Sequence, residues 1–191
     1  PMIQSMAKSA DQTPKSYIKS LVYNEKRQRC RIVYGNDVSV RYDYDPLTLK
    51  LVRIFSARKN GDVLQDINYT YDAAGNITHI TDKAVPVEFS NNKRISGDSD
   101  YTYDMHYRLI KASGRENNAA LKAASIQEYN DSRFCSTLSK GDSVGLRNYT
   151  ELYEYDCVGN MLQMKHISEG NSWTRKYCYS DSNNHLLSTS I

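Results

Sequence analysis

The stretch Tyr69–Ile80, with the sequence YTYDAAGNITHI, carries the signals that decide the fold of this 191-residue chain. Tyr69 and Tyr71 are two residues apart, so in a β-strand their side chains share one face. Asp72 favours a turn, because its carboxylate can accept backbone N–H groups two residues further on. Gly75 supplies the positive φ angle that a short hairpin loop with a bulge requires. The β-branched residues that follow suit a returning strand, so the stretch predicts a β-hairpin.

The same pattern recurs along the chain, and an internal repeat decides the architecture of a protein before any other feature does. Weaker copies lie at Tyr23 and at Tyr177–Tyr179. We predict that the repeated residues act structurally, by forming strands and turns, and not as sites of chemistry. These residues are Tyr42, Tyr44, Asp45, Tyr69, Tyr71, Asp72, Gly75, Asn76, Tyr101, Tyr103, Asp104, Tyr153, Tyr155, Asp156, Gly159 and Asn160.

Some copies of the repeat depart from the glycine rule. Arg27 and Tyr107 occupy the position that Gly75 and Gly159 hold elsewhere. A turn with a bulky residue there must change type or accept about 1 kcal/mol of strain in the left-handed region. The segment Gly35–Asp37 also predicts a turn, because two alternating runs flank it.

The repeat also predicts how the chain is divided. Residues 1–16 show no periodicity and are expected to form a loose N-terminal segment, with a repeat-built sheet region over 17–191. The interval between Tyr103 and Tyr155 is about twice the others, and Tyr129 lies near its midpoint, so one worn repeat could fill it. We favour a loop insertion over residues 114–148, in which Asn117–Gln127 reads as a short Ala-rich helix or a flexible segment.

Composition excludes several classes of protein. The chain has 16 Tyr against 3 Phe and 1 Trp, which suits broad sheets with half-wet faces better than a thick aliphatic core. The net charge of +3, from 25 basic and 22 acidic residues, gives no reason to expect nucleic acid as a partner. No apolar run is long enough to predict a membrane span. The four cysteines lack metal-ligand spacing, which suits synthesis in a reducing compartment, although a Cys157–Cys178 disulfide stays open.

The motifs of enzymes and metal sites are missing from the sequence. The aspartates recur with the repeat, which indicates turn formation and not carboxylate catalysis. The four histidines fall in or after the predicted turns, and no pair has the spacing of a metal site. No nucleophile motif and no phosphate-binding glycine loop occur. We therefore predict a chain that is not an enzyme and that has no metal and no cofactor.

The tyrosine rows allow two interpretations. Tyrosines on neighbouring strands could form cross-strand ladders that stabilise the sheet, each pair contributing roughly 0.2–1 kcal/mol. Exposed tyrosines could instead bind carbohydrate or a host-surface partner, since their rings offer contact area at a low entropy cost. The ladder is favoured, and the binding module is kept as the alternative function. An enzyme hidden in residues 114–148 is disfavoured, because that segment offers no nucleophile–base pair.

Several strings resemble those of one family. The stretch Tyr71–Ile77 resembles the YD or RHS repeat of bacterial Rhs proteins, teneurins and insecticidal toxin complexes. Longer strings are similar to the RHS-repeat part of the B component of Tc toxins, and the resemblance covers roughly residues 20–191. These strings are Ile32–Asn36, Leu64–Asp66, Asn76–Ile80, Asp100–Asp104, Arg108–Ile110, Ala112–Glu116 and Tyr149–Asp156.

The resemblance implies a curved all-β strip of consecutive antiparallel hairpins. In the family such strips form a hollow shell, built by the B and C components, that encloses a toxic polypeptide. The expected partners are other RHS-repeat segments or toxin-complex subunits, the enclosed polypeptide and, through unpaired sheet edges, other copies of the chain. The family also implies synthesis in the cytoplasm followed by secretion or release with the toxin complex. The chain lacks the family's propeller-like region, aspartyl self-cleavage motif and effector domain.

Overall fold

The computed structural model describes residues 6–8, 14–90, 92–117, 146–170 and 172–190. The regular structure of these residues is entirely β, without a helix, and a membrane-crossing helix is accordingly not found among them. The strands are β1 (Met6–Lys8), β2 (Pro14–Ser16), β3 (Ile18–Tyr23), β4 (Arg29–Tyr34), β5 (Ser39–Tyr44), β6 (Leu51–Ala57), β7 (Val63–Tyr71), β8 (Ile77–Asp82), β9 (Glu88–Ser90), β10 (Lys93–Ile95), β11 (Ser99–Tyr103), β12 (Leu109–Asn117), β13 (Leu146–Tyr155), β14 (Met161–Ser168), β15 (Trp173–Tyr179) and β16 (Leu186–Ser190).

The strand order follows the chain order. Strands β3–β8 and β11–β16 are consecutive in a 12-stranded sheet, while β1–β2 and β9–β10 form separate two-stranded pairs. Neighbouring strands run antiparallel, as their registers show. The predicted all-β fold of consecutive antiparallel hairpins is therefore confirmed. The chain divides into two compact units, residues 1–70 with 80–85 and residues 71–79 with 86–191.

The first unit has a thin core on one face of its strands. Ile32 of β4 lies opposite Val40 of β5, and Val40 lies opposite Ser56 of β6; all three side chains are buried. On the other face, the Arg53 guanidinium donates two hydrogen bonds to the Asp66 carboxylate, at 2.6 and 2.9 Å. An antiparallel sheet allows such a difference between its faces, with paired charge on one and buried aliphatic residues beside a serine on the other.

The second unit has a more polar core. One row crosses four strands from Ala112 in β12 through Glu151 in β13 and His166 in β14 to Trp173 in β15. Ala112 and His166 are buried. Ile95 of β10 is also buried, and the Arg94 carbonyl accepts a hydrogen bond from the Asn148 side chain of β13 at 3.0 Å. A buried histidine in this row is the feature that composition alone did not suggest.

The N-terminal segment contains some regular structure. Residues 1–16 were predicted to be loose, yet β1 and β2 pair with each other within it. The Gly35 N–H donates to the Tyr17 carbonyl at 2.8 Å, and a Cβ at Gly35 would overlap the carbonyl oxygen of Ser16. Gly35 is therefore required for this close approach, and the positive φ of its turn falls on Asp37 instead.

The predicted insertion at 114–148 lies between two paired strands. β12 continues through Asn117, β13 begins at Leu146, and these two residues are register partners. Residues 114–117 and 146–148 are therefore strand. The rest of the predicted insertion, the Ala-rich segment beyond Asn117 and the worn repeat around Tyr129 lie outside the described residues, so this division stays a prediction.

Candidate functional site

The repeat produces one kind of turn, which we call the repeat turn. In each copy the backbone N–H of the first turn residue donates to the carbonyl of the last at 2.8–3.0 Å, which closes the hairpin. The repeat turns are Asn24–Gln28, Asp45–Lys50, Asp72–Asn76, Asp104–Arg108, Asp156–Asn160 and Ser180–His185. The copies at Asn24 and Ser180 lack the aspartate yet keep this bond. The closing backbone hydrogen bond therefore forms without the aspartate of the motif.

The aspartate that opens a repeat turn uses its carboxylate inside the turn. Asp156 Oδ1 accepts the N–H groups of Val158 and Asn160 at 3.0 and 2.8 Å, and Oδ2 accepts the Asn160 side-chain amide at 2.8 Å. Asp72 makes the equivalent set with Gly75 and Asn76. The carboxylate is thus satisfied by its own turn, which fits the predicted structural role.

The other two aspartates follow the same scheme with different partners. Asp45 Oδ1 accepts two backbone N–H groups, from Leu47 and Thr48, both at 2.7 Å. Asp104 Oδ1 accepts the N–H groups of His106 and Arg108, while its Oδ2 accepts the Arg108 guanidinium at 2.7 Å. Arg108 therefore holds the last position of its turn, which Asn76 and Asn160 occupy in their copies.

These hydrogen bonds change the acidity of the turn aspartates. The side-chain and backbone bonds from Asn76 and Gly75 hold the pKa of Asp72 below its usual range, against a smaller opposing effect of desolvation. In Asp104 and Asp156, desolvation is the largest single influence and raises the pKa, but the sum of the hydrogen bonds outweighs it and lowers the pKa. The turns therefore favour ionised aspartates.

Bulky residues at the glycine position accept the left-handed conformation. Gly75 and Gly159 have φ of +106° and +100°, as predicted for glycines in such turns. Arg27 and Tyr107 occupy the same position with φ of +61° and +63°. Of the two sequence-based alternatives, the turn thus keeps its type and accepts the strain.

The second tyrosine of the repeat connects successive hairpins. Its hydroxyl donates to the carbonyl of the residue that directly follows the preceding repeat turn. The bonds run from Tyr44 to Arg29 at 3.1 Å, from Tyr103 to Ile77 at 2.9 Å and from Tyr155 to Leu109 at 2.9 Å. We call this contact the tyrosine–carbonyl link. Sequence reasoning missed it, although the fixed place of the tyrosine directly before the turn was the available signal.

The register gives no support to direct tyrosine ladders in the pairs where it is described. Tyr42 lies opposite Ile54, Tyr101 opposite Ala112 and Tyr153 opposite Met164. A bulge before the second tyrosine shifts its register in each of these hairpins. The two tyrosines of a pair therefore make different contacts, and the hydroxyl of the second is the one that reaches the preceding hairpin. Tyr69 and Tyr71 lie at the end of β7.

The last residue of a repeat turn contacts the next repeat turn. Gln28 Nε2 donates to the Leu49 carbonyl at 2.9 Å, and Arg108 Nη1 donates to the Asp156 carbonyl at 2.9 Å. The Arg108 guanidinium also lies over the Tyr155 ring, 4.9 Å from its centroid. Together with the tyrosine–carbonyl links, these bonds connect the hairpin of turn 24–28 with that of turn 45–50, and the hairpins of turns 72–76, 104–108 and 156–160 in succession.

A buried group of charged and aromatic residues, which we call the histidine cluster, occupies the second unit. His166 is 2% exposed and lies between the rings of Tyr149 and Trp173, at centroid distances of 5.4 and 5.2 Å. Its Nδ1 is 3.1 Å from Glu151 Oε1, and its Nε2 is 3.2 Å from Glu116 Oε2. Carboxylates from two strands therefore meet one imidazole.

Arg147 and Tyr153 also belong to the histidine cluster. Arg147 Nε donates to Glu116 Oε1 at 2.6 Å, and its Nη1 donates to the Glu169 carbonyl at 2.6 Å. The Tyr153 hydroxyl donates to Glu151 Oε2 at 2.6 Å. The first tyrosine of this repeat copy is thus a hydrogen-bond donor to the cluster.

Burial and charge shift several pKa values in the histidine cluster. Burial lowers the pKa of His166, but the hydrogen bonds and charges of Glu116 and Glu151 outweigh it and raise this pKa to about 9. Burial raises the pKa of Glu116, and the bonds from His166 and Arg147 reverse this and lower it. Burial also raises the pKa of Tyr149 to about 12.

The histidines do not share one environment. His106 and His185 lie in repeat turns, and His79 Nδ1 is 2.7 Å from Asp100 Oδ1 at a partly exposed position. His79 and His166 both lie in strands that follow a repeat turn, and of the two only His166 is buried. Within the described ranges, no group of three or more His, Cys, Asp and Glu residues could hold a metal ion. Cys30, Cys157 and Cys178 are free thiols; Cys135 lies outside the described residues.

The amino-acid sequence of the chain is similar to those of known toxin subunits. No family model matches the chain. The toxin subunit YenC1 of Yersinia entomophaga is 34% identical over 181 residues, which cover 91% of this chain and 18% of that subunit. The toxin subunit YenC2 of the same organism is 33% identical over the same lengths. The chain is related to Tc toxin subunits.

Solved structures support the same relationship. The crystal structure of TcdB2-TccC3 superposes with a TM-score of 0.79 at 33% identity, covering 96% of this chain and 9% of that one. The Photorhabdus luminescens Tc holotoxin pore gives the same TM-score and identity over 96% of this chain and 8% of that one. The chain therefore spans about a fifth of the curated Tc toxin relatives and less of these structures. The finer assignment to the RHS-repeat part of the B component stays a proposal.

Proposed function

We propose that this chain is a non-catalytic section of the wall of an RHS-type shell, in which a Tc toxin complex encloses a toxic polypeptide. The tyrosine–carbonyl link is the observation that carries this proposal. It occurs at Tyr44, Tyr103 and Tyr155, and each time it fixes a hairpin to the hairpin before it. A contact that repeats with the sequence motif allows hairpins to be added in chain order without a separate core.

The chemistry of the repeat also supports a mechanical role. The carboxylate oxygens of Asp72 and Asp156 accept hydrogen bonds from backbone N–H groups and from the side chain of the last residue of the turn. A catalytic acid or base would instead need to reach a substrate proton. We therefore assign the repeat-motif residues to the stability of the wall.

The partners and the cellular location of the chain are proposed by analogy with its relatives. YenC1 and YenC2 are named as toxin subunits, and the solved Tc holotoxin pore of Photorhabdus luminescens carries a mutation in TccC3. By analogy, this chain contacts other RHS-repeat segments and toxin-complex subunits, and it is made in the cytoplasm and secreted or released with the complex. In such a subunit, the enclosed toxic polypeptide would come from a different segment of the protein.

A chimera tests this function. The stretch of TcdB2-TccC3 that matches this chain would be replaced by residues 17–190, and the shell would be treated with a protease. TcdB2-TccC3 has a hypervariable C-terminal region, and a structure without that region has been solved. Protection of this region against cleavage, with a closed particle in electron micrographs, is expected if the chain forms wall.

A matched chimera keeps the test specific. It would carry Tyr44→Phe, Tyr103→Phe and Tyr155→Phe, which remove the three hydroxyls of the links and keep the rings. This variant is expected to leak, so that the C-terminal region is cleaved faster. A folded, secreted chimera with the original tyrosines that still exposes the region would contradict a role in the wall.

A further inference from the structure

His166 is surrounded by acceptors on both sides of its ring. Nδ1 lies 3.1 Å from Glu151 Oε1, and Nε2 lies 3.2 Å from Glu116 Oε2. An ionised carboxylate accepts hydrogen bonds and donates none, whereas a neutral imidazole has only one N–H. Both contacts are therefore hydrogen bonds only when the ring carries two protons and a positive charge.

The two carboxylates belong to different strands. Glu116 lies near the end of β12 and Glu151 lies in β13, while His166 itself lies in β14. The ring is almost fully buried and is held on its two faces by Tyr149 of β13 and Trp173 of β15. Loss of the second proton would leave a lone pair against a carboxylate at a site with little water to relieve the repulsion.

We propose that His166 is a proton-dependent lock, which joins β12, β13 and β14 while its ring is charged and loosens them when the ring loses a proton under alkaline conditions. The lock is a property of this chain's own residues and does not rest on the proposed function. It links the strands on either side of the segment 118–145, which connects β12 to β13 in the sequence.

The stability of the lock depends on the charges that surround His166. From β12 and β13, the carboxylates Glu116 and Glu151 are balanced by His166 and by Arg147, whose Nε bonds Glu116. Among the described residues, deprotonation of His166 removes one of the two cations that contact these half-buried carboxylates. An uncompensated charge in a buried pair is strongly destabilising.

The described cations on the other elements contact groups other than Glu116 and Glu151. On β15, the Arg175 guanidinium lies 5.9 Å from the centroid of the Trp173 ring. Trp173, and not Arg175, is the residue that stacks on His166. On β10, Lys93 pairs with Glu169 at 3.0 Å. The phenols of Tyr149 and Tyr153 have pKa values raised by burial and by Glu151, so they stay neutral while the ring titrates.

The direction of the pH effect follows from proton linkage. The folded pKa of His166, about 9, lies above the ordinary value of 6.5. The stabilisation is therefore complete below the ordinary pKa and is lost as pH rises through the folded pKa. Since each pKa unit is a tenfold change in the equilibrium, a shift from 6.5 to about 9 predicts a rise in the unfolding constant on the order of 300-fold between about pH 6 and pH 10.

The decisive measurement is a nitrogen NMR titration of the whole 191-residue chain with labelled histidine. The chain has four histidines, and the His166→Gln variant identifies the signals of His166 by their loss. At about pH 7, where a free imidazole is largely neutral, we expect both His166 ring nitrogens to be protonated, with titration near the raised pKa. A neutral tautomer at that pH, or a titration at the ordinary histidine value, would overturn the lock.

Unfolding measurements with matched variants test the consequence. The pH-dependent loss of stability of the wild-type chain above neutral pH should be absent from His166→Gln and retained in His106→Gln, which alters a turn histidine exposed to solvent. Glu116→Gln should lower the titration midpoint of His166, because it removes one of the two charges. Equal pH profiles for the wild-type chain and His166→Gln would overturn the proposal. If His166→Gln does not fold, Glu116→Gln and the wild-type titration still decide it.

Discussion

Tyr44, Tyr103 and Tyr155 show at the residue scale why this chain uses tyrosine where other sheets use phenylalanine. Each ring lies in a strand next to a repeat turn, and each hydroxyl reaches a backbone carbonyl of the preceding hairpin. A phenylalanine would fill the same space and leave that carbonyl without the bond. The excess of tyrosine, 16 against 3 Phe, is therefore explained in part by a specific hydrogen bond and not only by half-wet faces.

Removing one of these hydroxyls should weaken the fold measurably. Tyr155→Phe deletes the bond to the Leu109 carbonyl, and the loss of a partly buried hydrogen bond costs about 1 kcal/mol of the free energy of unfolding. Urea unfolding followed by circular dichroism measures this. Tyr107→Phe is the control, because the Tyr107 side chain is 65% exposed, and it should change stability little. Equal losses in the two variants would mean that the hydroxyl of Tyr155 contributes nothing specific.

The glycine of a repeat turn is expected to be sensitive for a conformational reason alone. Gly159 has φ of +100°, and a Cβ there would meet no atom within 4 Å. Gly159→Val should therefore destabilise the chain through backbone strain, by about 1–2 kcal/mol, and not through a clash. Thermal unfolding of Gly159→Val and Gly159→Asn separates the two causes, because asparagine tolerates the left-handed region. A valine variant as stable as the asparagine variant would contradict the turn geometry.

At the scale of the element, the turn aspartates make the hairpins sensitive to acid. The pKa values of Asp45, Asp72 and Asp156 are lowered by hydrogen bonds, so their stabilisation is present above the ordinary aspartate pKa and is lost as pH falls through the folded values. The unfolding midpoint in urea should therefore drop between about pH 5 and pH 2. Asp156→Asn should be less stable at the higher pH and show a shallower drop. An unchanged slope would remove Asp156 from the acid response.

The sequence predicted the hairpins but not what connects them. Tyr71, Asp72 and Gly75 specify a strand end, a turn start and a positive φ, and these are local properties that a short stretch determines. The tyrosine–carbonyl link joins residues that are separated by a whole repeat, such as Tyr103 and Ile77, so it depends on the register and on a bulge between Thr102 and Tyr103. A motif of period two does not reveal such a bulge.

The histidine cluster escaped prediction for a similar reason. The repeat predicts only that His166 follows a turn, and this holds for an exposed histidine as well as for a buried one. Its burial depends on Glu116, Tyr149 and Trp173, which reach it from three other strands. No local signal marks a strand residue whose neighbours lie far away in sequence and happen to be charged.

At the scale of the whole molecule, the strands follow the chain, so any strand at the end of the order offers its free side to a partner. Among the described strands, β16 pairs only with β15. It carries Leu187, which is 65% exposed, and it has neither lysine nor proline to discourage pairing with another chain. Copies of the isolated chain are therefore expected to associate through this strand.

Light scattering over a concentration series measures this association. The apparent mass of the wild-type chain should rise with concentration, and Leu187→Lys should reduce the rise, because a charge on an edge strand opposes strand addition. Leu47→Lys is the matched control, since Leu47 is 91% exposed and belongs to the repeat turn Asp45–Lys50 and not to β16. A wild-type chain that stays monomeric would mean that its strand edges are closed. The carbohydrate- or host-binding function of the tyrosine faces would then be favoured over a section of wall.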